Sequence, residues 1–166
     1  MGVVPIRVVA FHDEYPDIRR RQLNEICRQA HQEIGEYWSE ELLPEHFLPS
    51  ARHIFGYAPR RTQKRKERLA KVGKVKDGGL VDLVHSGLLR DSLTKRKQLV
   101  TAQPSRTIVW LIGPSYFGIR YKAGRPNLAR EVSAMSDRHE RLVTDRAERA
   151  FNQKLRELRA TRIHKT

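Results

Sequence analysis

The chain has 166 residues, enough to bury a sizeable core within one domain, and its 33 basic and 19 acidic residues give a net charge of +14. That charge predicts attraction to phosphate groups or to acidic protein surfaces, while the single cysteine, Cys27, excludes an internal disulfide or a cysteine-cluster zinc site and suits a reducing cytosol. Because the apolar runs fall far short of the roughly 20 residues that span a bilayer, and the start of the chain lacks the pattern of a secretion signal, we expect a soluble, unexported protein.

The first predicted element is an edge strand, and the second is a long helix. β-Branched residues alternate over residues 3–11, which is typical of a strand, and Pro5 favours a position at the edge of a sheet. From Asp17 onward, apolar residues recur at steps of three and four as far as Leu42. This spacing predicts an amphipathic helix that ends before Pro44.

The charges of this helix oppose its dipole. Three arginines, Arg19 to Arg21, stand at its start, and a group of glutamates stands at its end. Packing partners within the chain, a neighbouring copy or plain solvation would each account for them. We take four of these glutamates as candidates for an acidic subunit interface: Glu36, Glu40, Glu41 and Glu45.

The next segment, residues 45–60, is aromatic and aliphatic but is interrupted by Pro49, Gly56 and Pro59. These interruptions predict one or two short extended pieces rather than a helix.

Residues 60–76, hereafter the basic stretch, hold nine lysines and arginines against one acid. The stretch has too few apolar residues to fold into a core alone, so we expect an arm or loop at about residues 58–79. A grip for nucleic acid, an arm that docks on another protein and a solvated arm are all compatible with its charge. Its candidate contact residues are Arg60, Arg61, Lys64, Arg65, Lys66, Arg68 and Lys71.

The second half of the chain is predicted to contain a hairpin and a closing helix. A short helical turn follows Ser86, and two strand-like runs at residues 97–102 and 106–113 predict a hairpin with Trp110 in the core. A helix is predicted from Ser136, a suitable N-cap, to Leu158, followed by a basic tail. The chain should therefore form one α+β domain over residues 1–160, with a small antiparallel sheet packed against two long helices and extended arm or loop segments.

The sequence predicts no catalytic centre, metal site or cofactor. Its seven histidines lack the close helical pairing that a zinc site needs, and the neighbours His12, Asp13 and Glu14 are of a kind that is ordinarily solvated. Ser86 lies in His-Ser-Gly, which is not a nucleophile elbow. The Asp-Gly-Gly turn at residues 77–79 lacks the lysine and the spaced glycine of a phosphate-binding loop. We therefore expect no enzyme activity.

Residues 114–127 are predicted to form a loop in which aromatic and basic side chains alternate. This mixture suits stacking on bases and neutralising phosphates, but Tyr and Arg are also enriched in protein interfaces, which a loop rich in Pro and Gly favours. The candidate contact residues of this loop are Tyr116, Phe117, Arg120, Tyr121, Lys122 and Arg125.

Several short motifs resemble a known family. They are His46-Phe47, Phe55-Gly56-Tyr57, Ser86-Gly87 with Leu88-Leu89, and a Glu-Val-Ser-Ala-Met-Ser run before the closing helix. Their order is similar to that of the small tail-completion or head-to-tail joining proteins of long-tailed bacteriophages. The likeness spans about residues 40 to 140.

The resemblance implies a non-enzymatic α+β virion protein, assembled in the host cytoplasm, that forms a six- or twelve-fold ring between the portal or its adaptor and the tail tube. Genomic DNA would pass near its basic surfaces, and no membrane would be involved. Contact between the acidic helix end of one copy and the basic stretch of the next would then steer assembly. A DNA- or RNA-binding module and a minor capsid or decoration protein are the alternatives.

Overall fold

The computed structural model describes residues 2–6, 15, 17–57, 71–72, 87–118 and 127–163, with the backbone alone for 2–5 and 162–163. The described elements make up the predicted α+β fold. In chain order they are β1 (Gly2–Ile6), α1 (Arg20–Tyr37), a π-helical turn (Trp38–Leu42), a 3-10 turn (Leu43–Phe47), α2 (Ala51–Phe55), α3 (Leu88–Thr94), β2 (Leu99–Gln103), β3 (Arg106–Leu111), a second 3-10 turn (Ser115–Gly118), α4 (Leu128–Val132) and α5 (Asp137–Ile163).

The sheet is antiparallel throughout, in the order β1-β3-β2. A two-residue turn at Pro104 and Ser105 joins β2 to β3, which confirms the predicted hairpin. Strand β1 lies at an edge, as Pro5 predicts, although the described strand ends at Ile6 and the rest of the predicted one lies outside the described residues. Val109, on the central strand, pairs with Val4 on one side and Val100 on the other.

Trp110 does not lie in the core, which corrects the prediction. Side chains of a strand alternate between its two faces, and β3 buries Thr107, Val109 and Leu111. Trp110 therefore lies half-buried on the opposite face, where its indole Nε1 donates to Thr101 Oγ1 at 3.1 Å. On that face the indole N–H has a hydrogen-bond partner.

Helix α1 packs on two sides, against the β2-β3 hairpin and against α5. Its buried side chains recur at the predicted helical spacing, which confirms this element. On the hairpin side the closest approach is at Gly35, where an added Cβ would lie 2.5 Å from Val100 Cγ1 and 2.9 Å from Thr107 Oγ1. Only a residue without a side chain allows the helix to lie this close to the sheet.

Helices α1 and α5 run antiparallel, since ion pairs join residues early in one to residues late in the other. Asp17 Oδ1 lies 3.4 Å from Arg159 Nη2, and Glu33 Oε1 lies 2.7 Å from Arg146 Nη2. Ser136 is the predicted N-cap of α5, because its Oγ accepts from the backbone N of His139 at 3.2 Å. The helix continues to Ile163, beyond the predicted end at residue 158, because no Gly or Pro stops it there.

Within residues 45–60, which were predicted to be extended, the described part to residue 57 contains the end of the 3-10 turn and α2. Pro44, where the preceding helix was predicted to end, stands in the first turn of the 3-10 segment, where its missing N–H removes no helical hydrogen bond. Gly56 ends α2 in the left-handed conformation, with φ of 62°. The prediction took Gly56 as an interruption of extended chain, whereas it caps the end of a short helix.

We expect Gly35→Ala to lower the free energy of unfolding by about 1 kcal/mol, because a crowding cost of about 2 kcal/mol exceeds the gain in helix propensity of about 1 kcal/mol. In a Val100→Ala background the same substitution should cost less, since the nearest methyl group is gone. Urea unfolding of the four proteins in this cycle measures the coupling. Strictly additive effects would contradict the close contact.

Candidate assembly surface and its buried anchor

Part of the family-like motifs lies in or beside one segment, the 3-10 turn Leu43–Phe47. This turn contacts both α2 and α3. The segment that contains the basic stretch is flanked by Tyr57, shortly after α2, and by Gly87, directly before α3. Both ends of the segment that contains the basic stretch are therefore attached to the same turn.

A stack of aromatic rings, hereafter the anchor, holds the end at Tyr57 in place. His46, from the 3-10 turn, stacks on Phe55 with ring centroids 3.8 Å apart and an angle of 13° between the planes. The hydroxyl of Tyr57 shares a hydrogen bond with Nδ1 of His46. His46 is 0% exposed and Tyr57 4% exposed, so both rings belong to the protein interior.

The first turn of α5 closes the anchor from the other side. The ring of His139 meets Phe55 edge-on with centroids 4.9 Å apart, and its Nε2 lies 3.0 Å from a carboxylate oxygen of Glu45. Arg138 Nη1 donates to both oxygens of the same carboxylate, at 2.8 and 2.6 Å. Glu45 thus ties the 3-10 turn to α5 through charge-assisted hydrogen bonds.

Burial sets the protonation state of the anchor. It lowers the pKa of His46 from 6.5 to about 3, with a further lowering from nearby His139 and a smaller opposing effect of Glu45. For Glu45, burial acts to raise the pKa, but hydrogen bonds from Arg138 and His139 more than offset it and leave the pKa below its usual value. The anchor therefore holds a neutral imidazole beside an ionised carboxylate.

At the other end of this segment, before α3, the backbone is positioned by Gly87 and by the buried side-chain amide of Gln98. Gly87 precedes α3 with φ of 84°, a conformation that residues with a side chain rarely adopt. The side chain of Gln98 donates to the carbonyls of Leu93 and Arg96 at 3.0 and 2.8 Å and accepts from the backbone N of Ile112 at 2.7 Å. Gln98 therefore joins the end of α3 to the end of β3.

The structure describes part of the predicted contact set. Of the basic stretch it describes Lys71 and Val72, both exposed. Ser86 lies outside the described residues. So do ten of the predicted contact residues: Arg60, Arg61, Lys64, Arg65, Lys66, Arg68, Arg120, Tyr121, Lys122 and Arg125.

Phe117 belongs to the core, which corrects its prediction as a contact residue. It is 2% exposed, and its ring packs so closely on Gly113 that an added Cβ there would lie 2.7 Å from Cγ of the ring. Its neighbour Tyr116 is half-buried. The 3-10 turn of residues 115–118 thus directs one of the two rings inward.

The predicted acidic interface divides into two groups. Glu45 is held by Arg138 and His139 within the chain, and Glu36 accepts from Gln32 Nε2 at 2.9 Å. Packing partners within the chain therefore account for these two residues. Glu40 and Glu41 are exposed, and the described part of the chain provides no ion pair for either.

The sequence prediction missed Arg138, His139 and Gln98 as parts of this region. Glu45 and His139 are 94 residues apart, so no local pattern links them. Across the described residues, no three His, Cys, Asp or Glu side chains are arranged to hold a metal ion. Among the described helices, none has the length and apolar character needed to cross a membrane.

Comparison with protein-family models, with curated proteins and with solved structures gives no match for this chain.

The anchor predicts a loss of stability in mild acid. Unfolded histidine binds a proton near pH 6.5 whereas folded His46 binds one only near pH 3, so the unfolded state takes up more protons between these values. Stability from this group is complete above pH 6.5 and should fall by about 1.4 kcal/mol for each pH unit below it. Buried His31, whose pKa burial also lowers, acts in the same direction.

Urea unfolding at pH 7 and pH 5 measures this loss. His46→Gln should reduce the difference between the two pH values, because the titrating group is removed. His53→Gln, at an exposed position, is the matched control and should leave the difference unchanged. An equal pH dependence in wild type and His46→Gln would contradict the role of the buried imidazole.

Proposed function

We propose that this chain is a non-enzymatic structural subunit of a tailed-phage particle, forming part of a ring at the interface of head and tail. The observation that carries the proposal is the convergence of the family-like motif residues. His46 and Phe47 lie in the 3-10 turn, Tyr57 is hydrogen-bonded to His46, and the helix that follows Gly87 contacts the same turn.

The anchor supports an assembly role because it holds Tyr57, which directly precedes the segment with the basic stretch, in the protein interior. A segment with nine basic residues and one acid repels itself, so an oppositely charged surface outside it favours its ordering. Exposed Glu40 and Glu41 of a neighbouring copy offer such a surface. Contact of this kind steers association and fixes the register of subunits.

The same geometry argues against chemistry at the anchor. His46 is the group most perturbed electrostatically in the region, and perturbed groups are often catalytic. Its ring is fully buried and stacked on Phe55, however, and a general base must reach the proton that it removes. The perturbation therefore comes from packing.

The partners that follow from the proposal are copies of the chain, the portal or adaptor proteins on the head side and the tail-tube proteins on the tail side. Gene order offers an independent test of this assignment. We expect portal and major capsid genes just upstream and a tail-tube gene just downstream. A gene placed among those of small-molecule metabolism would count against the proposal.

Purified protein should form rings of six or twelve copies in negative-stain micrographs. Replacing Arg65, Lys66 and Arg68 by Glu should abolish these rings and leave a folded monomer, because the basic stretch would then repel the acidic helix end. Replacing Lys95, Arg96 and Lys97 by Glu is the matched control, since these exposed residues carry the same charge outside the basic stretch. Rings that persist in the first variant would refute the contact of the basic stretch with a neighbouring copy.

A DNA- or RNA-binding module is the second candidate, favoured by exposed cations on described elements, namely Arg19 to Arg21 and Lys95 to Lys97. This function predicts a monomer whose affinity for DNA falls with salt, by about 0.9 per neutralised phosphate on a log-log plot. Fluorescence anisotropy from 50 to 300 mM NaCl, together with gel filtration, separates the candidates. A ring with weak binding to DNA favours the structural subunit, in the neck or as a minor capsid or decoration protein.

A further inference from the structure

An open groove of about 400 Å³ lies between α1 and α5, at the end where α1 begins and α5 finishes. Buried Ile26 and half-buried Leu158 provide its apolar part, while Arg21 and Lys154 stand beside them. Thr161 contributes an exposed small side chain to the lining. Glu25 and Glu157 also line the groove, so its lining is balanced in charge. The excess of positive charge at this end comes from neighbouring residues, the exposed Arg19 and Arg20 among them.

Charge is segregated along this pair of helices. Residues 17–25 and 154–161, at the groove, hold six basic and three acidic side chains. Residues 36–45 and 137–141, at the other end, hold six acidic and two basic side chains. At 1.5 Å per residue α5 is about 40 Å long, several times the Debye length of about 8 Å in physiological salt. The two ends therefore act on other molecules independently.

Contacts within the chain do not explain the outermost charges. Asp17, Glu33 and Glu45 each pair with an arginine of α5. By contrast, Arg19 to Arg21 and the pair Glu40 and Glu41 are exposed and have no ion-pair partner among the described residues. They also stand at the ends of a helical segment where its dipole disfavours them.

The acidic end also presents apolar side chains. Leu48, directly after the 3-10 turn, is 48% exposed, and Ile54 of α2 is 40% exposed. An acidic surface with protruding apolar side chains complements a groove that has an apolar floor and lies next to the exposed arginines at the start of α1. Both surfaces occur on the same chain, at opposite ends of one antiparallel helix pair.

We propose that the groove between α1 and α5 receives the acidic end of a second copy of this chain, in a head-to-tail contact. Glu40 and Glu41 of one copy face Arg20 and Arg21 of the next. A contact between different ends of identical subunits repeats from copy to copy and closes into a ring when the rotation permits. The proposal rests on the ring-forming function above. It assigns the subunit contact to described residues, with Arg20 and Arg21 in place of the basic stretch as the partners of Glu40 and Glu41.

Charge swaps give a decisive test. Variant one carries Glu40→Lys and Glu41→Lys, so both of its ends are basic, and variant two carries Arg20→Glu and Arg21→Glu, so both of its ends are acidic. Sedimentation velocity at low salt should show species larger than a dimer for the wild type. Each variant alone should sediment as a monomer. An equimolar mixture should recover the large species, because copies can alternate.

Two further variants separate charge from shape. Asp145→Lys with Glu148→Lys makes the same net change as variant one at exposed positions in the middle of α5 and should assemble like the wild type. Thr161→Trp fills the groove without changing charge and should raise the protein concentration needed for assembly at least tenfold. Circular dichroism verifies the fold of each variant.

The outcomes distinguish this inference from the proposed function. Wild-type rings together with variants that assemble normally would overturn the groove contact and leave the ring function standing. A wild type that remains monomeric at every salt and concentration would overturn both. Growth that stops at a dimer would overturn the head-to-tail arrangement, since a two-fold contact closes after two copies.

Discussion

The close contact of α1 with the β2-β3 hairpin at Gly35 is the constraint on which the rest of the structure depends. Because the backbone of α1 lies directly on Val100 and Thr107, the helix is held against the sheet on one side and still has a face for α5 on the other. That central position aligns the antiparallel helix pair. It also sets where the helix ends, and therefore where the 3-10 turn and the two ends of the basic segment are placed.

The anchor shows how a buried polar network can specify one arrangement of neighbouring elements. Rings from the 3-10 turn and from the end of α2 stack, the ring of His139 meets them edge-on, and the Glu45 carboxylate is shared between Arg138 and His139. A displaced ring would break the hydrogen bond of Tyr57 with His46 or that of Glu45 with His139.

The periodic spacing of apolar residues predicted most of the fold. The spacing of apolar residues predicted α1, the turn at Pro104 and Ser105 separated two strands, and Ser136 marked the start of α5. Other features depend on contacts between distant parts of the chain. The two-residue alternation of a strand does not show which face of β3 is buried, so the predicted position of Trp110 in the core was wrong. Glycine interrupts extended chain and also ends short helices, so taking Gly56 as an interruption led to the wrong prediction of extended chain. Nothing local connects Glu45 to Arg138.

Because of the π-helical turn at Trp38–Leu42, the fold here depends more on the number of residues than on the identity of the exposed side chains. The backbone N–H of Leu43 donates to the carbonyl of Trp38, five positions earlier, so this turn holds one residue more than an α-helical repeat. Loss of one residue would restore regular helix and rotate everything beyond it by about 100°. His46 and Phe55 would then turn away from His139 of α5. Insertions and deletions in this turn would therefore disrupt the fold, whereas substitutions of its exposed side chains would not.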